Sequence, residues 1–433
     1  MHDPETEGTP VTPDHHVLDD LEWRGLIAHS TDLDALRAEM DAGPVRFYVG
    51  FDPTAPSLHM GNLVQILTAK RLQDAGHTPY ALVGGATGMI GDPKDSGERT
   101  LNSLDTVKEW VANVRRQIEP FLSFEGDNAA TMVNNYDWTA SLSTIDFLRD
   151  IGKHFPVNRM LARETVRRRL DSGISYTEFS YVLLQSMDFL NLYRDHGVTL
   201  QHGGSDQWGN ITGGVELIRR SASGHAHAFA TPLITKGDGT KYGKTEGGAL
   251  WLDPRMMSPY AFFQFWLNVE DVQVVEMLKI FTFLDRDEIE ELARQTEEKP
   301  FLRAGQKALA EQVTTLVHGA EETAQVQAAA AALFGGGDLG GLSPATLGAA
   351  LREAGSTNVS GELPSYVDLM VETGLAKSRG DARRTIADGG AYLNNERVED
   401  AELVPSASDL VGGSWLVLRR GKKTFAGVEV TPI

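Results

Sequence analysis

Two short segments carry residue types that grip and polarise a polyphosphate: Ser57-Leu58-His59-Met60-Gly61-Asn62 and, far downstream, Lys241-Tyr242-Gly243-Lys244-Thr245. The first leaves a strand-like run, Arg46–Phe51, through the proline-punctuated turn Asp52-Pro53-Thr54-Ala55-Pro56 and opens a helical run from Leu63 to Leu72. His59 and Asn62 are therefore expected at a helix N-terminus, where unpaired N–H groups and the helix dipole favour anions. The second sets two lysines around Gly243 in a glycine-flanked loop, Thr235 to Gly248, from which cations can fold over phosphates. By itself either half has a plain alternative, a capping histidine or a solvated loop. A third set is Tyr181, Gln185 and Asp188, spaced i, i+4 and i+7 and hence on one helix face. Val182, Leu183, Leu184, Met187, Phe189 and Leu190 interleave with them and leave little room for a solvent face, so the polar residues read as a pocket lining.

The elements expected to position these residues form two textures. From Leu18 to about Leu252, short apolar runs (Val45–Phe51, His77–Val83, Ala130–Val133, Thr199–His202, Ala228–Ile234) alternate with amphipathic segments, the pattern of a parallel sheet covered by helices. Glycine clusters follow two of those runs, at Gly84-Gly85 and Gly203-Gly204, and ligands of such sheets bind at the carboxyl ends of strands. After Pro254 the periodicity turns helical, with expected helices over Pro259–Leu267, Asp271–Phe281, Arg286–Glu297 and Pro300–His318. The expected domains are a loose tail at 1–17, a Rossmann-like α/β catalytic domain at 18–254, an all-α domain at 255–334, a flexible linker at 335–361 and a small α+β domain at 362–433. No internal repeat is evident.

At 433 residues the chain exceeds what a single core usually supports. A formal net charge of −20 argues against bulk coating of nucleic acid, so any RNA contact must be local. Two arginine-rich places offer one: Arg159, Arg163, Arg167, Arg168 and Arg169, and a C-terminal group that includes Arg383, Arg384, Arg419 and Arg420. The plain alternative for each is a solvated helix face. Zero cysteines exclude disulfides and thiolate-held zinc, and no His/carboxylate cluster suggests a protein-bound metal. No stretch reads as a membrane span or a signal peptide, so a cytoplasmic location is expected.

Two other nucleotide or hydrolase readings fail on residues. Gly243-Lys244-Thr245 ends like a P-loop, but the position of that pattern's first glycine is Asp238. Gly203-Gly204-Ser205-Asp206-Gln207 approaches a nucleophile elbow but lacks the last glycine.

The pair of segments at His59 and Lys241 resembles the HIGH and KMSKS motifs of class I aminoacyl-tRNA synthetases. Tyr48-Val49-Gly50-Phe51-Asp52-Pro53-Thr54-Ala55, Gly84-Gly85-Ala86-Thr87-Gly88-Met89-Ile90-Gly91-Asp92-Pro93, the Tyr181–Phe189 helix and Gln201-His202-Gly203-Gly204-Ser205-Asp206-Gln207-Trp208-Gly209-Asn210 narrow the resemblance to the bacterial tyrosyl-tRNA synthetase family, over nearly the whole chain from Leu18. The C-terminal piece resembles an S-four-like RNA-binding module. The resemblance implies ATP, L-tyrosine and a tyrosine tRNA as partners, magnesium carried on the nucleotide, and a homodimer through the catalytic domain. It implies that Tyr48 and Asp188 take the phenol, that Tyr181, Gln185 and Asp92 take the ammonium, and that Gln207 faces the carboxyl group. It also implies Asp52, Gly61, Gly204, Asp206 and Thr245 around ATP with Gln201 in the wall, His59, Asn62, Lys241 and Lys244 in catalysis, and Arg159, Arg163, Arg383 and Arg384 toward tRNA. The second histidine of HIGH is Asn62 here, and the segment after Asp92-Pro93 reads Lys94-Asp95-Ser96-Gly97-Glu98-Arg99 instead of the more usual Ser-Gly-Lys. A tryptophanyl enzyme would have no use for Asp188 against a phenol, and a non-catalytic RNA-binding relative would be expected to have lost His59, Lys241, Lys244 or Asp206.

Overall fold

The computed structural model describes residues 16–93, 97, 101–235, 249–335, 337–421 and 424–431. Lys94, Arg99, Lys241, Lys244 and Thr245 lie outside the described residues. The chain divides into two compact units, one running through Asp253 and including Val275–Ile289, the other made of Pro254–Val274 and Glu290 onward.

The first unit is built on a six-stranded sheet of β1 (His29–Ser30), β2 (Arg46–Phe51), β3 (Thr78–Val83), β4 (Thr131–Asn134), β5 (Leu200–Gly204) and β6 (His227–Thr231), in the order β1-β6-β5-β2-β3-β4. All neighbours are parallel except β1 and β6. Consecutive buried residues such as Phe47, Tyr48 and Val49, or the whole of β6, are what a parallel sheet covered on both faces requires. From β2 the sheet grows toward β3 on one side and β5 on the other, so a crevice opens beyond the carboxyl ends of β2 and β5. Helix Met60–Asp74 starts at that crevice, and helix Tyr176–His196 lies beside it and stops at Gly197, whose φ of 65° is the left-handed conformation that ends helices.

Past the expected boundary at 254, Val275–Ile289 group with the first unit, where Arg24 and Arg71 hold the end of helix Asp271–Phe281. Arg24 donates to the carbonyls of Lys279, Thr282 and Leu284 (3.0, 3.2 and 2.9 Å), and Arg71 to those of Ile280 and Thr282 (3.2 and 2.6 Å). A helix C-terminus leaves four carbonyls without intrahelical partners, and these two guanidiniums supply the donors.

The second unit holds helices Pro259–Leu267, Ala304–His318, Ala320–Gly335 and Pro344–Ala354, and a sheet of β7 (Ser356–Ser360), β8 (Ala391–Leu393), β9 (Glu396–Arg397), β10 (Trp415–Arg420) and β11 (Thr424–Thr431) in the order β7-β11-β10-β8-β9. Two expectations are corrected here. The run Pro300–His318 is not one helix: a short 3-10 turn, Pro300–Leu302, ends at Arg303 with φ 52° before the helix begins at Ala304. The stretch 335–361 contains the capped helix Pro344–Ala354 and strand β7, which pairs in parallel with β11 from Ser356 to Ser360. Its small residues have a packing role. A Cβ on Gly348 would come within 3.1 Å of the Trp415 indole, so glycine lets this helix lie against the sheet.

Candidate active site

The crevice is a cleft of about 470 Å³, lined by residues of the first unit that all precede Trp251. It brings together every expected pocket residue among those described: Tyr48, Asp52, His59, Gly61, Asn62, Asp92, Tyr181, Gln185, Asp188, Gln201, Gly204, Asp206 and Gln207.

The buried part of the cleft is polar. Asp188 is 2% exposed and accepts from Asn135 Nδ2 at 3.0 Å and Trp138 Nε1 at 2.8 Å. Burial pushes its carboxyl up to about 7 despite those two donors. Asn135 cannot turn its amide over, since its Oδ1 accepts from the Ala86 N–H at 2.7 Å while its Nδ2 also reaches Thr87 Oγ1. Near this carboxylate the Tyr48 hydroxyl is buried, with its pKa raised by burial and then by the Asp188 charge. Gln185 Oε1 and Gln201 Oε1 have no hydrogen-bond partner among the described residues, and Tyr48 Oη has only the Gln201 side chain beside it. Buried polar atoms are normally paired, so these mark where a ligand's polar groups belong.

A second cluster surrounds Asp92 and Asp52. Gln207 Nε2 and Asn210 Nδ2 each donate to Asp92 at 3.0 Å. Tyr181 Oη donates to Asp52 at 2.5 Å and Thr87 Oγ1 at 2.6 Å, so Asp52 is held from two sides.

At the mouth, His59 is the N-cap of helix Met60–Asp74. Its Nδ1 accepts from the Gly61 N–H at 3.0 Å, and Asn62 Oδ1 accepts from the His59 N–H at 3.1 Å, a reciprocal capping box. Desolvation by neighbouring atoms lowers the pKa of the otherwise exposed His59, and with Nδ1 accepting from Gly61 the ring's donor end is Nε2. The segment that follows residue 248 returns here: the Met60 N–H donates to Leu250 and the Leu252 N–H to Leu58, at 3.0 and 2.9 Å. Across the cleft, a Cβ on Gly204 would come within 2.6 Å of Asp206 Oδ1, so only glycine lets this carboxylate fold over the strand end.

The arginines expected at tRNA divide. Arg159, Arg383 and Arg384 are exposed, whereas Arg163 is partly buried and donates to Asn210 Oδ1 at 2.5 Å. Arg169 is buried on Glu178 at 3.2 Å. Sequence reasoning missed Asn135, Trp138, Thr87 and Asn210. Asn135 and Trp138 follow the carboxyl end of β4, where any parallel sheet presents ligand-facing residues, and that position was the available signal. Among the described residues no group of three His, Asp or Glu could hold a metal ion.

A cleft at the switch of a parallel sheet, with a capped histidine at a helix N-terminus and a buried polar end, fits an aminoacyl-adenylate-forming enzyme of the class I tRNA synthetase type. The chain belongs to the "tRNA synthetases class I (W and Y)" family, whose model matches residues 40–335, and a "Tyrosine--tRNA ligase SYY-like C-terminal domain" model matches residues 347–428. It is 62% identical over 418 residues to the tyrosine–tRNA ligase of Streptomyces coelicolor, covering 96% of this chain and 99% of that one. It is 58% identical to the tyrosine–tRNA ligase of Thermobifida fusca, over 95% and 99% of the two chains. A crystal structure of a C-terminally truncated mitochondrial tyrosyl-tRNA synthetase from Aspergillus nidulans superposes with a TM-score of 0.67 at 30% identity, covering 73% of this chain and 94% of that one. The activity is tyrosine–tRNA ligation: ATP and L-tyrosine give tyrosyl-adenylate and pyrophosphate, and the tyrosyl group passes to the terminal adenosine of the tRNA.

Proposed function

We propose the following division of labour in that reaction. The observation that carries it is that a buried carboxylate, Asp188, and a buried tyrosine hydroxyl, Tyr48, line the same end of one cleft. Tyr48 and Asp188 take the substrate phenol. Asp92, Tyr181 and Gln185 take the ammonium, and Gln207 faces the carboxyl group. Gly204 and Asp206 take the ribose, Asp52 and Gly61 complete the nucleotide wall, and His59 and Asn62 donate to the phosphates. Lys241, Lys244 and Thr245 supply the remaining phosphate contacts by resemblance of sequence. The tyrosine carboxylate oxygen attacks the α-phosphorus and the bond to pyrophosphate breaks. A hydroxyl of the terminal adenosine then attacks the tyrosyl carbonyl and AMP leaves. No enzyme nucleophile is needed, so rate comes from orientation and from donors set where charge builds. Magnesium enters on the nucleotide and would supply charge neutralisation to the phosphates. ATP–pyrophosphate exchange tested with each amino acid should depend on tyrosine alone; exchange with tryptophan or phenylalanine at comparable efficiency would overturn the pocket assignment.

The raised pKa of Asp188 gives a signed pH dependence. A carboxyl whose folded pKa lies near 7, above its unfolded value, is disfavoured as an ion in the fold. Its ionisation therefore removes stability as pH rises from the unfolded value, about 4, through about 7. The phenol needs the ion as an acceptor, so the preference for tyrosine over phenylalanine in exchange should rise about tenfold from pH 6 to pH 8, as the ionised fraction grows. A ratio flat over that range would mean the phenol does not rest on Asp188.

We further propose a homodimer, supported by the run of exposed apolar side chains Ile145, Leu148, Val157, Leu161, Leu170 and Tyr176 in one stretch of the first unit. A monomer rarely shows so many. Ile145→Asp with Val157→Asp should halve the mass seen by sedimentation; an unchanged mass would remove this surface from the interface. Arg159, Arg383 and Arg384 remain candidates for tRNA phosphates, and a cytoplasmic location fits these substrates.

A further inference from the structure

Arg163 comes from the arginine run that reads as an RNA contact, yet its guanidinium reaches inward to the floor of the amino-acid pocket. We infer that Arg163 is a positioning residue for tyrosine, setting the polarity of an amide relay that aims Asp92 at the substrate ammonium. This rests on the reading of Asp92 given above.

The argument is one of donors and acceptors. Arginine can only donate, so its contact with Asn210 must fall on the amide oxygen, and Arg163 meets Oδ1 at 2.5 Å. That choice leaves Asn210 Nδ2 to face Asp92 Oδ1 at 3.0 Å and Gln207 Oε1 at 2.9 Å. Gln207 now has its oxygen occupied as an acceptor, so its Nε2 must turn to Asp92 Oδ2 at 3.0 Å. These four contacts thus hold both carboxylate oxygens with N–H donors. Take the guanidinium away and Asn210 Oδ1 is left buried without its donor, so Asn210 shifts toward another partner and its hold on Asp92 and Gln207 loosens. The approach is built for: a Cβ on Gly209 would come within 2.7 Å of Arg163 Nη2, so glycine at 209 keeps the path to Asn210 open. Asn210 is itself buried, at 4% exposure, so solvent cannot replace the lost donor.

The test is equilibrium binding to the full chain of L-tyrosine and of 3-(4-hydroxyphenyl)propanoate, which keeps the phenol and carboxylate but has no ammonium. Arg163→Met should weaken tyrosine on the order of tenfold, the scale of one charge-assisted hydrogen bond, and leave the analogue unchanged. Arg163→Lys, still donor-only, should restore most of the loss. Gly209→Ala adds helix propensity in helix Trp208–Ala222 while pushing the guanidinium off Asn210, so it should reproduce the selective loss in a chain that folds. Equal weakening of both ligands would reduce Arg163 to a packing role, and weakened tRNA binding with unchanged tyrosine affinity would return it to the RNA surface. Either result overturns the inference. Asp92→Asn separates the two levels: if it leaves the preference for tyrosine over the analogue intact, the ammonium reading of Asp92 fails, and the relay with it.

Discussion

His59→Asn should lower the rate of tyrosyl-adenylate formation by about 10²–10³-fold, the cost of losing one preorganised transition-state donor. It should leave thermal stability close to that of the parent. The two effects separate because the histidine does two things with two nitrogens. Nδ1 caps helix Met60–Asp74 through the Gly61 N–H, and Nε2, the donor end of the ring, is left for phosphate. Asparagine is among the best N-caps, so it keeps the first role and cannot reach the second. His59→Ala loses both and should cost about 1 kcal/mol of stability besides the rate. Single-turnover pyrophosphate release and a melting curve on each variant decide the matter. An Asn variant with the parent's rate would leave His59 as a helix cap only. The same geometry explains why Asn62 can stand where a histidine is usual in the motif: its Oδ1 is taken by the His59 N–H, so its Nδ2 is the end left as a donor.

Local signals in the sequence were enough to place most of the cleft. His59 at a helix start, the glycines that end β5 and the i, i+4, i+7 spacing of Tyr181, Gln185 and Asp188 are each set by near neighbours, and all of them line one pocket. What escaped was set by pairs distant in the chain. Asn135 and Trp138 matter because they meet Asp188, about fifty residues on. The arginines from 159 to 169 read as one basic face, yet exposed Arg159 and Arg167 share that run with Arg163, turned toward Asn210, and Arg169, buried on Glu178. Each inward turn depends on a partner that spacing cannot reveal. The stretch 335–361 looked like a linker because its residues are small and polar. Small residues also let a helix approach an indole closely, as Gly348 does at Trp415, and composition does not distinguish these uses.

Removing residues 343–433 should leave tyrosyl-adenylate formation within about twofold of the parent, since the residues that line the cleft all belong to the first unit. Among the described residues, none that lines the cleft lies beyond Leu250. Transfer to tRNA should fall by about 10²-fold or more, the consequence of losing even two charge-assisted phosphate contacts at roughly 1.5–3 kcal/mol each. The place of the cut matters. Helix Pro344–Ala354 and β7 belong with the small sheet through Trp415, Leu351 and the pairing with β11, so a cut at 361 would leave an orphaned apolar helix. Cutting at 342 takes the module whole, together with its core of Tyr366, Leu369, Met370, Leu416, Leu418 and Val428. It uncovers part of helices Pro259–Leu267 and Ala320–Gly335, against which helix Pro344–Ala354 packs, and a lower melting transition for the remaining helices is expected. Salt supplies the discriminating readout. Arg383, Arg384 and Arg397 are exposed, so binding that uses them releases counterions and weakens steeply with salt, a slope the truncated chain should largely lose. If pyrophosphate exchange falls as far as charging does, the C-terminal module supports the catalytic unit's fold, and its assignment to tRNA phosphates is wrong.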